Sequence, residues 1–376
     1  MTHRERVLAA HQHRQPDRIP LDFGSNLAST ITAQAHERLR AHLGLQSDYT
    51  PTYFAKRSGT VIPDVAILER FDIDTRGMVL GGPEGRPEQT LEGGRLLDEW
   101  SSIWAKPSDG HYINVDGPFN ALAEPTVEDL EKIVWPDPSD PGRFRGLSER
   151  AKALHQGTDC AVVMTLGVGP VHQAQFMRGY ADWLADLIAN EKFATALFDR
   201  ITDIWVEIAN RALTQVGEHA DIAMFGDDVA TQRGPLMRPD LYRKIIKPRH
   251  KRMVEVMKKH GKLALYHCCG SVYSLLGDFI DIGMDALNPT QVAAAHMDTK
   301  RLKQEFGRDI TFWGGVDTQN VMPRGTPQQV REEVKRRLDD LADGGGYVLG
   351  AVHNIQADVP PENVVSLFEA ALEFGR

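Results

Sequence analysis

From residue 144 to residue 374 the chain keeps a beat of short apolar runs and longer amphipathic stretches, and nothing else in it limits the possible folds so strongly. The runs are Cys160 to Leu166, Ile222 to Gly226, Lys262 to His267, Asp285 to Asn288, Ile310 to Trp313 and Tyr347 to Ala351. Around them, the 3.6-residue period predicts helices over 144–155, 173–215, 239–260, 271–282, 297–306, 326–343 and 360–374. Nearly continuous apolar strands separated by helices build a parallel sheet with both faces covered. Two further strand candidates, 18–23 and 73–80, raise the count to eight. The expected fold is therefore α/β, a (β/α)8 TIM barrel occupying residues 1–376 as one domain. An open doubly wound sheet is the competitor. Its dinucleotide-binding form is disfavoured, because no Gly-x-Gly-x-x-Gly opens a helix after the first strand.

The N-terminal third departs from the beat. Helices are expected over 2–13 and 30–43, whereas 71–125 is punctuated by Gly81-Gly82-Pro83, Gly93-Gly94 and Asp109-Gly110 and reads as an irregular, hairpin-bearing insert. Pro136, Pro138 and Pro141 make a rigid connector into the regular part.

Charge and cysteine usage exclude several functions. With 43 basic against 52 acidic residues the net charge is -9, and the basic patch from Lys247 to Lys259 reads as the wet face of a helix, so nucleic acid is not an expected partner. Three cysteines, two of them adjacent, form no disulfide framework and imply a reducing compartment. There is no apolar leader after Met1 and no run of 18 apolar residues, so the expectation is a cytoplasmic protein with no membrane span.

Barrels of this kind carry their chemistry at the carboxyl ends of the strands. Those ends hold Gly167 to His172, Asp227-Asp228 with Gln232, His267 with Cys269, Asn288 with Gln291, Asp317 with Gln319, and His353 with Asn354 and Gln356. Strand side chains alternate, so His267 and Cys269 share one face and Cys268 takes the other. An imidazole and a sulfur converging there could hold Zn2+, with His353 as the third ligand and an open position for a thiol substrate. Buried structural roles for the same histidine and cysteine are an equal alternative. Asp227 and His353 are the candidate catalytic residues, one of the paired acids facing the mouth and the other a helix N-terminus or loop amide. Asp228, Asn288, Gln291, Asp317 and Gln356 are candidate contacts to a small-molecule substrate. Capping and turn formation are competing roles for Asp228 and for the Asn288-Pro289 step.

The string from His267-Cys268-Cys269-Gly270 through Asp281-Ile282-Gly283-Met284-Asp285-Ala286-Leu287-Asn288-Pro289-Thr290-Gln291 resembles the uroporphyrinogen decarboxylase superfamily. Phe312 to Gln319 and Asp358-Val359-Pro360-Pro361-Glu362-Asn363 are similar to it as well. The resemblance implies a (β/α)8 barrel and two kinds of enzyme, cofactor-free porphyrinogen decarboxylases and zinc-dependent methyltransferases that work with corrinoid proteins or methylated thiols. The methyltransferases share the His-x-Cys of His267 and Cys269, with a third ligand, a cysteine, shortly before the Asp-x-Pro-x-Glu-Asn string; the matching residue here is His353. The decarboxylases carry an Arg-x-x-x-Arg loop after the first strand, and Gly24 to Thr30 contains no arginine. The resemblance therefore implies a methyltransferase. Its cobamide would arrive on a separate corrinoid protein, since the chain has no Asp-x-His-x-x-Gly segment. A metal-free decarboxylase of a small acid using Asp227 and His353 is the alternative, and a barrel that only binds a ligand or partner is a third.

Overall fold

The computed structural model describes residues 1–45, 49–108 and 110–376; Asp109, from the expected Asp109-Gly110 turn, lies outside the described residues. Seven strands form one parallel sheet: β1 (Thr75–Val79), β2 (Ala161–Val168), β3 (Ile222–Gly226), β4 (Leu263–His267), β5 (Ala286–Asn288), β6 (Thr311–Trp313) and β7 (Tyr347–Val348). Each pairs with the next in chain order. Residues 20–22 join the two edges. The Asp22 amide donates to Leu349 O (2.8 Å), the Leu349 amide to Pro20 O (2.9 Å) and the Asp74 amide to Leu21 O (3.0 Å). The expected eighth stave is thus present but short, since Pro20 has no N–H with which to extend the ladder.

Alternation fills the barrel. Ala161, Val163, Ile222, Met224, Leu265, Ala286, Trp313 and Val348 form a buried inner cluster, and Val7 from the helix His3–His11 plugs its amino end. The other strand face, with Phe225, Tyr266, Leu287, Phe312 and Tyr347, packs into the larger core beneath the helices. Near-continuous apolar strands are what this two-sided burial demands.

Several helix expectations need correction. The stretch 173–215 is three helices, Pro170–Arg178, Tyr180–Ala189 and Glu191–Val216, broken at Gly179 and Asn190. Gly179 has φ 80°, a conformation open to glycine at little cost. The stretch 239–260 is likewise divided into Pro239–Leu241, a π turn at Tyr242–Ile246, and Lys247–Lys259. Pro248 lacks the N–H that would continue the α-helical ladder, so the preceding turn widens. The expected 271–282 helix is reduced to a turn at Tyr273–Leu275 and Leu276–Asp281.

The insert forms a four-stranded antiparallel sheet of Gln89–Thr90, Leu96–Leu97, Ile103–Ala105 and Ile113–Asp116. A three-stranded sheet of Ile31–Thr32, Tyr53–Ala55 and Thr60–Val61 stands at the rim, where the Thr32 amide donates to Ile355 O at 2.9 Å. No described helix is long and apolar enough to cross a membrane.

Candidate metal centre

Strand alternation selects the side chains that reach the mouth. In β4, Leu263 and Leu265 belong to the inner cluster, so His267 and then Cys269 continue that face. Cys268 faces outward and is fully buried, with its Sγ 3.4 Å from the Val229 amide. Cys269 Sγ lies 3.5 Å from His267 Nε2. His353, in the loop beyond β7, sets its ring 5.4 Å from the His267 ring, centroid to centroid. One ligand atom each from His267, Cys269 and His353 falls within 4.8 Å of the other two.

The chemistry of these donors fits a divalent cation. Burial, helped by the neighbouring His267, lowers the His353 pKa to about 4, so the imidazole is neutral and keeps a free lone pair. Burial also lowers His267, against the opposing pull of Asp228 and Asn288. The Cys269 thiol is pushed well up by burial and then by the Asp228 carboxylate, so thiolate forms there only when a positive charge compensates it. Two imidazoles and one sulfur are a donor set that zinc takes in catalytic sites with one position left open.

The paired acids divide their work, and the division corrects the expectation for Asp227. Ile222 and Met224 point inward, so Asp228 continues the inner face and Asp227 points away from the mouth. Asp227 is fully buried. It accepts from the Val171 amide (2.9 Å), the His172 amide (2.8 Å) and His250 Nε2 (3.0 Å), capping the helix that begins at Pro170. The side chain of Asp228 is 33% exposed; its Oδ1 accepts from the Cys269 amide at 2.7 Å and stands 4.0 Å from His267 Nε2. The carboxylate beside the candidate metal ligands is therefore that of Asp228, and the capping role weighed for Asp228 falls to Asp227.

His172 joins the two carboxylates; the sequence placed it among the strand-exit residues but gave it no role. Its Nδ1 lies 3.4 Å from Asp227 and its Nε2 lies 3.6 Å from Asp228, while its ring stacks on Phe176. Burial alone would lower its pKa, but the two carboxylates win and push it up to about 10. An imidazolium held between two carboxylates is the result. Pro170 at a strand exit is the available signal, because it starts a helix whose first turn must lie at the mouth.

Asn288 Oδ1 lies 2.7 Å from His267 Nδ1. Gln291 Oε1 accepts from the Gly270 amide at 2.6 Å, fixing the turn that follows Cys269. Asp317 spends its carboxylate on its own turn, accepting from the Gln319 and Asn320 amides. Gln356 stands at the rim, 3.0 Å from His111 Nε2 of the insert. Asn354 is structural, accepting from the Thr30 amide and donating to Leu27 O. The structure thus gathers His267, Cys269, His353, Asp228, Asn288 and Gln291 around one loop, and sets Asp227, Asp317 and Gln356 apart from it.

Comparison with known proteins agrees with this architecture. A methyltransferase from Methanosarcina mazei superposes with a TM-score of 0.66 at 20% identity, covering 100% of this chain and 99% of its own, which shows the shared fold. In sequence the chain is 27% identical over 250 residues to the methylcobamide:CoM methyltransferase MtbA of Methanosarcina mazei, 66% of this chain and 69% of the relative. A methylated-thiol–coenzyme M methyltransferase of the same organism is 23% identical over 251 residues, 66% of this chain and 64% of the relative. Uroporphyrinogen decarboxylase of Geobacter metallireducens is 23% identical over 347 residues, 88% of this chain and 96% of the relative. Residues 112–374 match the family described as uroporphyrinogen decarboxylase (URO-D), well over half of the sequence, and the chain belongs to that family.

Proposed function

We propose that the chain is a zinc-dependent methyltransferase that moves a methyl group between a small methylated substrate or thiol and a corrinoid carried on a separate protein. The observation that carries this reading is the convergence of His267, Cys269 and His353 at the barrel mouth, in a chain whose relatives include cobamide and thiol methyltransferases. His267, Cys269 and His353 would hold Zn2+. When bound, the ion supplies a Lewis acid that lowers the pKa of a thiol or polarises a methylated heteroatom.

The residues around the ligands set charge and position. Asp227, Asp228 and a Cys269 thiolate carry three negative charges, and protonated His172 with a divalent cation carries three positive charges, so the loaded centre is neutral. Asp228 holds the Cys269 backbone and faces the approaching substrate. Asn288 and Gln291 fix His267 and the Gly270 turn. Asp227 acts through His172 and the helix start as a positioning residue. Asp317 and Gln356 shape the rim, where a corrinoid protein would dock.

Elemental analysis of protein purified without chelators tests the reading. The expected result is about one zinc per chain, the stoichiometry of a three-ligand catalytic site, and its loss in Cys269→Ser. A metal-free protein that gains neither metal nor methyl transfer on zinc addition would overturn it. Metal-independent carbon dioxide release from a small acid would then favour the decarboxylase alternative.

A further inference from the structure

A second group of metal-ligating side chains lies at the amino end of the barrel, opposite the mouth, where the helix His3–His11 meets the start of β2. His3, Asp159 and Cys160 each bring one ligand atom within 4.8 Å of the other two. All three line one cleft of about 570 Å³, together with Glu69, Asp72 and Arg76. Backbone contacts fix the helix start there: the Arg4 amide donates to Asp159 O (2.6 Å) and the His3 amide to Asp159 Oδ2 (3.3 Å). The His3 ring stands between two carboxylates, with Nδ1 2.7 Å from Asp159 Oδ1 and Nε2 2.8 Å from Asp72 Oδ1. Cys160 is 2% exposed, and its Sγ lies 3.5 Å from Ile73 O, a weak contact.

We propose that His3 Nδ1, a carboxylate oxygen of Asp159 and Cys160 Sγ form a second metal site, for a divalent transition metal of zinc's class, that clamps the first helix to β2. The Nε2–H donated to Asp72 fixes the ring and its tautomer, a carboxylate–histidine–metal arrangement, and turns Nδ1 toward the other two donors. The cation takes the place of the proton that His3 Nδ1 shares with Asp159. Zinc about 2.0 Å from each atom sets the two about 3.3 Å apart, so Asp159, with a side chain 52% exposed, moves outward by about half an ångström. Nitrogen, oxygen and thiolate donors suit zinc, and the cleft admits water as the fourth ligand. The Asp159 carboxylate and a Cys160 thiolate cancel the two positive charges, while Arg76 is turned to Ile73 O and Thr75 O. Binding releases two protons, from His3 Nδ1 and from the Cys160 thiol, so this site fills on added metal, after the mouth. An ion pair alone accounts for His3 and its carboxylates but not for a thiol within reach of both.

Cobalt reads the site through its thiolate charge-transfer absorption. The Cys269→Ser protein, which lacks the mouth thiol, should take up cobalt with that band, and adding Cys160→Ser in the same background should remove it. Cys268, the remaining thiol, is fully buried with its Sγ 3.4 Å from the Val229 amide. His3→Gln should also remove the band, which keeps the test open if Cys160→Ser fails to fold. Asp72→Asn should weaken cobalt binding about tenfold or more by releasing the His3 ring. Zinc at about 100 times its dissociation constant should raise the Tm of Cys269→Ser by about 3 °C more than that of the double variant. The proposal is overturned if Cys269→Ser shows no thiolate band at millimolar cobalt, or if the band persists without Cys160 or without His3; His3, Asp72 and Asp159 are then an ion-pair fastening and nothing more. Because the mouth thiol is absent throughout, the outcome is independent of the methyl-transfer reading.

Discussion

Replacing Asp227 by alanine should destabilise the barrel several times more than the same change at Asp228. The Asp227 carboxylate is fully buried and meets two backbone amides, His250 Nε2 and the His172 ring. Removing it uncaps the helix at Pro170, worth about 1 kcal/mol. It also strips the His172 imidazolium of a counter-charge, and breaking such a buried pair costs about 3–5 kcal/mol. Since one carboxylate serves both roles the terms overlap, and about 4 kcal/mol is the working figure. Unfolding entropy near 2.1 cal/mol/K per residue scales to about 0.8 kcal/mol/K over 376 residues, so Tm should fall by about 5 °C. Asp228 is one-third exposed, and its removal frees the Cys269 amide for water, worth about 1 kcal/mol or about 1 °C. Scanning calorimetry of both variants at one scan rate gives the comparison. Equal shifts, or an Asp227→Ala protein melting within about 1 °C of wild type, would refute the division of labour between the two acids.

His172 yields a pH prediction. Its folded-state pKa is raised to about 10, so its stabilisation is fully present below the unfolded value near 6.5 and is lost as pH rises through about 10. The difference in urea midpoint between wild type and His172→Gln should therefore narrow from pH 6.5 towards pH 10, and a flat or widening difference would contradict the imidazolium assignment. Gly169 offers a second handle on the same group. A Cβ there would sit 2.3 Å from Asp227 Oδ2, so Gly169→Ala should cost about 1–3 kcal/mol by displacing the carboxylate. In an Asp227→Ala background the same change should cost little, which a double-mutant cycle measures; additive costs would place the clash elsewhere.

The barrel was legible because its information is local. A strand buried on both faces must be apolar throughout, and the spacing of Cys160 to Leu166, Ile222 to Gly226 and the later runs repeats that demand along the chain. His267 and Cys269 were legible for the same reason, since alternation along one strand needs no knowledge of its neighbours. The breaks at Gly179 and Asn190 escaped because a single glycine is tolerated within a helical pattern, and only packing decides whether the chain turns there.

The partition between Asp227 and Asp228 was accessible in principle, because the inward set Ile222, Met224 and Gly226 leads to Asp228. Gly226, however, carries no side chain to mark its face, and a buried acid and an exposed one are the same letter. What decides is His172, which meets Asp227 across 55 positions of sequence, and His250, which meets it across 23. The case of Asn288 is sharper. Read locally, Asn288-Pro289 is turn chemistry. Its role is set by the β4–β5 register, which pairs it with His267 across 21 positions and leaves one end of the amide satisfied and the other free. A parallel pair fixes that register through a connecting helix rather than a tight turn. The length of that crossover, and no motif within it, is what brings the Asn288 amide to the His267 ring.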